Sequence, residues 1–531
     1  MAPRGAAWSG LLTPSSAART TRAATRPRTL PDALRSWARA RPGAPALAQG
    51  GVELDYQELD RIVTEAGRLL AGAGVSAGDR VVIAGPNSVD WVVAFLACLR
   101  VGAIAVPLNV RLAPIEIRRQ LEVCEPRVIL AAEPQVPALE RAARPGTRLL
   151  LLERDAEGRR SFWRLAAARV AVPPPGANAP ALISFTSGST GPPRGALIPH
   201  RALVRSASAF VPRLETTSAD RTLTLVPLFH NTGFVDQLAQ MLLVGGSVDV
   251  LPEFHAEAAI DALGRRPASY LIAVPSILRL LMLHERADEA FRGCRVAVYG
   301  GAPMPAAWIR ELAERWPALR LFNCYGLTEF TSVSHLLDPE QALERSDSVG
   351  RPVEGVRQQV VTPAGAPVSP GEVGEIWLAG PTRMDGYWRA DEATREALRG
   401  PWLRTGDLGT VDEGFLTVLG RSAEVVNRGG EKIYVTAVEA AIGELGTVAE
   451  AAVVGAPHPI LQERVVAFVA PRGGAEFDEE AARSHLAERV PDYAVPETFV
   501  VVDELPKSGA GKVDRSRLRA EAAAWAGGAA G

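Results

Sequence analysis

Cysteine is scarce in this chain: there are four in 531 residues, at Cys98, Cys124, Cys294 and Cys324. They lie far apart and form no C-x-x-C pair, which excludes a zinc or disulfide framework and predicts reduced thiols in a cytoplasmic protein. A charge imbalance is missing too. The formal net charge of -2 argues against a general affinity for nucleic acid or for an anionic membrane. No apolar run approaches the roughly 18–20 residues that a membrane helix needs, and there is no internal repeat. Residues 1–30 contain no acid and no apolar core of a secretory signal. They carry Arg4, Arg19, Arg22, Arg26 and Arg28 among Ala, Ser, Thr and Pro, so residues 1–29 are expected to form a disordered extension.

Hydrophobic residues make up 47% and charged residues 22%, enough for a core and a water-facing surface. The length predicts at least two domains. Between about residues 30 and 420, short β-branched runs alternate with helical patterns. Val81-Val82-Ile83 reads as a buried strand and Asp90 to Arg100 as a helix with an apolar face. Strands are also expected at 127–130, 181–185, 222–226, 247–251, 270–274, 295–299 and 319–322, with helices at 277–284 and 306–316. This alternation predicts an α/β architecture with largely parallel sheets. Beyond Gly420 the texture changes. Strands at 451–454, 465–469 and 499–502 and helices at 436–442 and 479–488 suffice for a small α+β domain over residues 421–531. Gly-rich turns are expected on either side of the junction, at 406–409 and at Gly429-Gly430.

The strand at 181–185 runs into Thr186-Ser187-Gly188-Ser189-Thr190-Gly191-Pro192-Pro193-Arg194-Gly195. Glycines let backbone N–H groups approach a ligand, hydroxyls add donors, and Arg194 adds a permanent cation, so the segment suits a polyphosphate. It is not a Walker loop, because G-x-x-x-x-G-K-[ST] is absent. Asn323-Cys324-Tyr325-Gly326-Leu327-Thr328-Glu329 brings an aromatic ring, a hydroxyl and a carboxylate to another strand end, where α/β folds build their sites. Gly300-Gly301-Ala302-Pro303 closes a third strand. Trp402-Leu403-Arg404-Thr405-Gly406-Asp407, Gly420-Arg421 and Pro506-Lys507-Ser508-Gly509-Ala510-Gly511-Lys512 follow.

These segments, in this order, resemble the motifs of the adenylate-forming superfamily: acyl-CoA synthetases, luciferases and nonribosomal peptide synthetase adenylation domains. The loop at 186–195 is similar to [ST]-S-G-[ST]-T-G-x-P-K-G, and Trp402–Asp407 to W-x-x-T-G-D. The resemblance covers about residues 30 to 517. It implies a large adenylation domain, residues 30–420, and a small mobile C-terminal domain. It implies ATP and Mg²⁺, with phosphates held by Thr186, Ser187, Gly188, Ser189, Thr190, Gly191 and Arg194. By the same resemblance Gly301, Ala302, Pro303, Asn323 and Gly326 line the nucleotide and acyl pockets. Tyr325 stacks on adenine, Thr328 touches phosphate, Glu329 binds the metal, Asp407 accepts from the ribose hydroxyls and Arg421 reaches the ribose–phosphate region. Lys512 bridges the α-phosphate and the substrate carboxylate, where a cation offsets the repulsion of two anions. His230, in Pro227-Leu228-Phe229-His230-Asn231-Thr232-Gly233, corresponds to a gate of the acyl tunnel. Amino-acid-activating relatives carry an Asp at that position, so an α-amino acid substrate is disfavoured.

The implied reaction has two steps. An acid attacks the α-phosphate of ATP and releases pyrophosphate; a nucleophile, most often the thiol of coenzyme A, then takes the acyl group. The small domain rotates between the steps about Gly420–Glu424, which would turn the segment 429–432 to the thiol tunnel. Two positions depart from the family pattern. Arg194 replaces a Lys, and Ala423 replaces the Asp or Lys of the hinge. Tyr299 and Phe330 flank the glycine turns, and if they face the pocket the acid is small. The acceptor stays open between coenzyme A, a carrier protein and an amine, including nitrite activation for diazotisation of an arylamine. A non-catalytic nucleotide-binding relative is a further alternative, disfavoured by the presence of Lys512, Glu329 and Asp407 together.

Overall fold

The computed structural model describes residues 27–153, 161–168, 173–186, 193–421, 424–428, 431–458, 461–508 and 512–528. The architecture is mixed α/β, with a large N-terminal domain and a smaller C-terminal one. Two sheets of mainly parallel strands form the large domain's body.

In the first, Arg80–Ala84 pairs in parallel with Ile104–Pro107 and Val128–Ala131, and Ile104–Pro107 with Pro180–Phe185. Strands 104–107 and 128–131 are buried along their whole length, as the continuous apolar runs of a sheet covered on both faces should be. Pro180–Phe185 then turns back as Gly195–Pro199 in antiparallel register, and Gly386–Tyr387 adds the edge. The helix Val89–Arg100 starts at Ser88, whose hydroxyl accepts from Trp91 N, and every residue of it except Asp90 is buried. At its C-terminal end Arg100 pairs with Asp60 at 2.5 Å.

In the second sheet, Tyr270–Ala273, Val296–Gly300 and Arg320–Gly326 run parallel, and Val333–Leu337 closes the far side antiparallel. Parallel strands of these two sheets end at Phe185, Gly300 and Gly326, each of which leads into a motif segment.

The expected strands and helices up to residue 322 are present, most within a few residues of their expected ends. The turn expected at 406–409 is not. Trp402–Asp412 is an eleven-residue strand in a third, wholly antiparallel sheet with Arg357–Val361, Gly374–Ala379 and Phe415–Arg421. Gly374–Ala379 pairs Glu375 with Leu408 and Trp377 with Arg404, so the residues between them form a bulge around Gly406 at φ +73°. The Thr-Gly-Asp run reads as a turn locally, but sheet pairing absorbs it and aims Asp407 inward. Gly429-Gly430 lies outside the described residues.

The small domain packs two cores, one on either face of the sheet built from Val448–His458 and Gln462–Pro471. Gly420 sits at φ +123°, and beside it the Thr436 hydroxyl donates to the Leu419 carbonyl.

Candidate functional site

Thr186 and Arg194 frame the phosphate-loop segment, with Thr186 N donating to the Arg194 carbonyl at 3.0 Å. Ser187, Gly188, Ser189, Thr190 and Gly191 lie outside the described residues. Arg194 is exposed and its guanidinium lies over the Tyr387 ring, 5.7 Å from the centroid. The Tyr387 hydroxyl donates to Glu329 Oε1 at 2.8 Å. Backbone bonds lace the same region: Met384 N to the Glu329 carbonyl at 2.9 Å and Trp388 N to the Gly195 carbonyl at 2.8 Å. Arg194 and Glu329, far apart in sequence, therefore meet across one tyrosine. Arginine suits this place because its planar cation stacks on an aromatic face, which a lysine ammonium does less well.

Glu329 and Thr328 form a short turn after the strand Arg320–Gly326. Gly326 is required there: a Cβ would overlap the Ser332 carbonyl. Tyr325, one residue earlier, donates its hydroxyl to Asp407 Oδ2 at 2.5 Å. Arg421, the cross-strand partner of Asp407, holds Oδ1 at 3.0 Å. Each oxygen retains a further lone pair that can accept. Burial raises the Asp407 pKa, and the Arg421 charge acts against that rise. Burial also pushes the Tyr325 phenol far above its ordinary value, and the Asp407 charge adds to this. Thr405 fixes the geometry: its hydroxyl accepts from Asp407 N at 3.0 Å and donates to the Ile376 carbonyl at 2.7 Å.

Lys512 reaches this group from the small domain. Its side chain keeps solvent access, yet protein surrounds it closely enough to lower its pKa, desolvation first and the Arg421 charge second. Asp407, Glu424 and Glu329 are near enough to act on it in the opposite sense. Ser508 N donates to the Lys512 carbonyl at 2.6 Å. His230 feels the Lys512 charge as well. Its pKa is lowered to about 4, mainly by burial, so the imidazole is neutral near pH 7, edge-on to Phe229 at 4.6 Å.

Gly301, Ala302 and Pro303 are exposed, and Gly301 takes φ +79°. Asn323 is buried, with its amide donating to the Ser348 carbonyl at 2.9 Å. The structure thus gathers Arg194, Tyr325, Glu329, Asp407, Arg421, Lys512 and His230, while Asn323 is occupied by a backbone bond. Tyr299 and Phe330 are fully buried core residues rather than pocket walls. That removes the sequence argument from their bulk to a small acid. Of the hinge, Ala423 lies outside the described residues. Sequence reading missed Tyr387, Thr405 and Asn231. The Gly386-Tyr387 pair carries no local signal, because its meaning comes from pairing with the strand after Arg194.

Glu329 fits a hard cation by its oxygen chemistry. Among the described residues, no group of three or more His, Cys, Asp or Glu side chains could hold a metal without help. A single carboxylate suits an ion carried chiefly by phosphates. Among the described residues no helix is long and apolar enough to cross a membrane.

Two family models match the chain, AMP-binding enzyme over residues 34–388 and AMP-binding enzyme C-terminal domain over residues 437–512. The chain is 33% identical over 486 residues to an indoleacetate–CoA ligase of Aromatoleum aromaticum, covering 90% of this chain and 95% of the relative. It is 34% identical over 496 residues to a feruloyl-CoA synthase of Amycolatopsis, covering 92% and 98%. An O-succinylbenzoate coenzyme A synthetase from Bacillus subtilis, solved with ATP and magnesium ion, superposes with a TM-score of 0.82 at 28% identity, covering 92% and 98%. With both family models matched and its motif residues converging on one cleft, the chain belongs to the AMP-binding enzymes, the adenylate-forming superfamily, as an ATP-dependent, AMP-forming ligase.

Proposed function

We propose that this ligase activates an aryl carboxylic acid as its acyl-adenylate and transfers the acyl group to the thiol of coenzyme A. The observation that carries the reading is the convergence of Lys512 with Asp407, Arg421 and Glu329. In this reading that cation from the small domain offsets the charge of a carboxylate and a phosphate as they meet. The relatives act on indoleacetate, ferulate and O-succinylbenzoate by name, which supports an aromatic acid. The neutral His230 has no charge to attract an ammonium, in keeping with an acid that is not an α-amino acid.

In this reading Tyr325 packs on the adenine, Asp407 and Arg421 fix the ribose, and the segment 186–195 with Thr328 grips the phosphates. Glu329 would hold the magnesium ion, which neutralises phosphate charge when it is bound with ATP. Lys512 offsets the repulsion between the acid's carboxylate and the α-phosphate, and pyrophosphate leaves in line. The division into residues 30–420 and 421–531 gives Lys512 its own rotating body, with Gly420 absorbing the dihedral change. Rotation withdraws Lys512 and admits the thiol. Buried free cysteines suit a cytoplasmic enzyme.

Pyrophosphate exchange with a panel of aryl, short-chain and long-chain acids tests the first step. Mass spectrometry of products, with coenzyme A and amines offered together, tests the second. Exchange with aryl acids and a thioester product are expected. An amide product, or exchange restricted to long-chain acids, would overturn the assignment.

A further inference from the structure

One side chain that belongs to none of the motif roles ties three motifs together. Asn231 follows His230 and precedes the π-helical turn Thr232–Ala239. Its Oδ1 accepts from the Ser184 hydroxyl at 2.8 Å, and its Nδ2 donates to the Thr331 carbonyl at 2.6 Å. A carbonyl only accepts, so the amide's orientation is fixed by chemistry. Ser184 is buried at the end of its strand, two residues before Thr186. Thr331 is two residues beyond Glu329, fully buried, and held at φ +69°, a conformation β-branched residues rarely adopt. The Thr331 hydroxyl donates in turn to the Thr382 carbonyl at 2.5 Å. The entry of the phosphate loop and the exit of the Glu329 turn belong to different sheets. The Asn231 amide spans them directly.

We propose that Asn231 is a positioning residue for adenylation, setting the separation between the strand end at 184–186 and the Glu329 turn, the two elements assigned to magnesium-ATP. The π-helical turn supports this role. π-helical segments are rare and occur frequently at functional sites, and here one starts immediately after the strut. Strain at Thr331 needs an opposing restraint, and the Asn231 N–H supplies one. The proposal rests on assigning the segment 186–195 and Glu329 to magnesium-ATP.

The test uses the full chain with Asn231→Ala, Asn231→Asp, Ser184→Ala and, as a control on the site itself, Glu329→Gln. Pyrophosphate exchange reports the first half-reaction. Thioester formation from chemically prepared acyl-adenylate reports the second, and calorimetry reports magnesium-ATP binding without turnover. In N231A and N231D, exchange should fall about 10–100-fold, as misplacement of gripping groups does, while thioester formation stays within about threefold. Magnesium-ATP should bind more weakly in both. N231D should be no better than N231A, because a carboxylate cannot donate to the Thr331 carbonyl. S184A keeps that donor bond and should lose less. It also carries the test if N231A fails to fold. Exchange within twofold of the parent, or an equal fall in both half-reactions, overturns the strut. A fully active E329Q would overturn the site assignment and the strut with it. An inactive E329Q beside an active N231A would remove the strut alone.

Discussion

The Tyr387 hydroxyl lies 2.8 Å from Glu329 Oε1, and the same ring carries the Arg194 guanidinium on its face. The tyrosine orients the carboxylate by donation and docks the loop's cation by its π-face. Tyr387→Phe keeps the ring and removes the donor. The affinity for magnesium-ATP should fall about 5–10-fold, the scale of one charge-assisted hydrogen bond. Arg194→Lys should lose stacking and weaken ATP binding by a similar factor. Titration calorimetry with and without magnesium ion checks both, and an unchanged magnesium dependence in Y387F would count against the orienting role.

Lysine occurs only at 432, 507 and 512 in the whole chain. Lys512→Ala should lose pyrophosphate exchange by at least about 100-fold, since a charge aimed at the transition state is removed. ATP binding should change far less. An amine-reactive probe followed by peptide mass spectrometry offers an independent reading. The adenylate, held at the cleft, should protect Lys512 and leave Lys507 labelled, because Lys507 pairs with Glu450 away from it. Equal exchange in K512A would remove the role given to this lysine.

Gly420 holds φ +123° in the orientation that presents Lys512 to the cleft. An alanine there is strained by about 1–3 kcal/mol. Gly420→Ala should therefore bias the small domain away from this orientation, lowering exchange about tenfold or more while thioester formation from preformed adenylate is spared. Loss of the second step instead would show that the strained dihedral belongs to the thiolation geometry.

His200, His230 and His335 share a pKa lowered to about 4 by burial. Between that value and the ordinary 6.5 the unfolded chain binds more protons than the folded one. Stability is therefore complete above pH 6.5 and falls as the pH drops toward 4, with a slope of up to about 1.4 kcal/mol per pH unit for each histidine. Melting temperatures from pH 7.5 to 4.5 check this. His200 is fully buried, and neither ring nitrogen has a hydrogen-bond partner among the described residues, so His200→Gln should flatten the profile. A profile as steep as the parent's would contradict the assignment.

The linear chain determined a good deal. Alternating buried strands and helices read correctly because the apolar period of each element is local, as at 81–83, 270–274 and 295–299. The motif segments were legible because phosphate, ribose and carboxylate chemistry calls for glycine, hydroxyl, acid and cation at short spacing. Tertiary structure decided the rest. Thr405-Gly406-Asp407 has the composition of a turn, and only pairing with Gly374–Ala379 shows a bulged strand with Asp407 turned inward. Tyr299 and Phe330 stand beside site residues in sequence but belong to the core: Tyr299 because successive strand residues point to opposite faces, Phe330 because the short turn Thr328–Phe330 folds its ring into the core. Asn231 and Tyr387 left no local signal at all. Their partners Thr331 and Glu329 lie 100 and 58 residues away. A short-range pattern records which face a side chain takes, whereas the partner it meets there depends on how whole sheets are brought edge to edge.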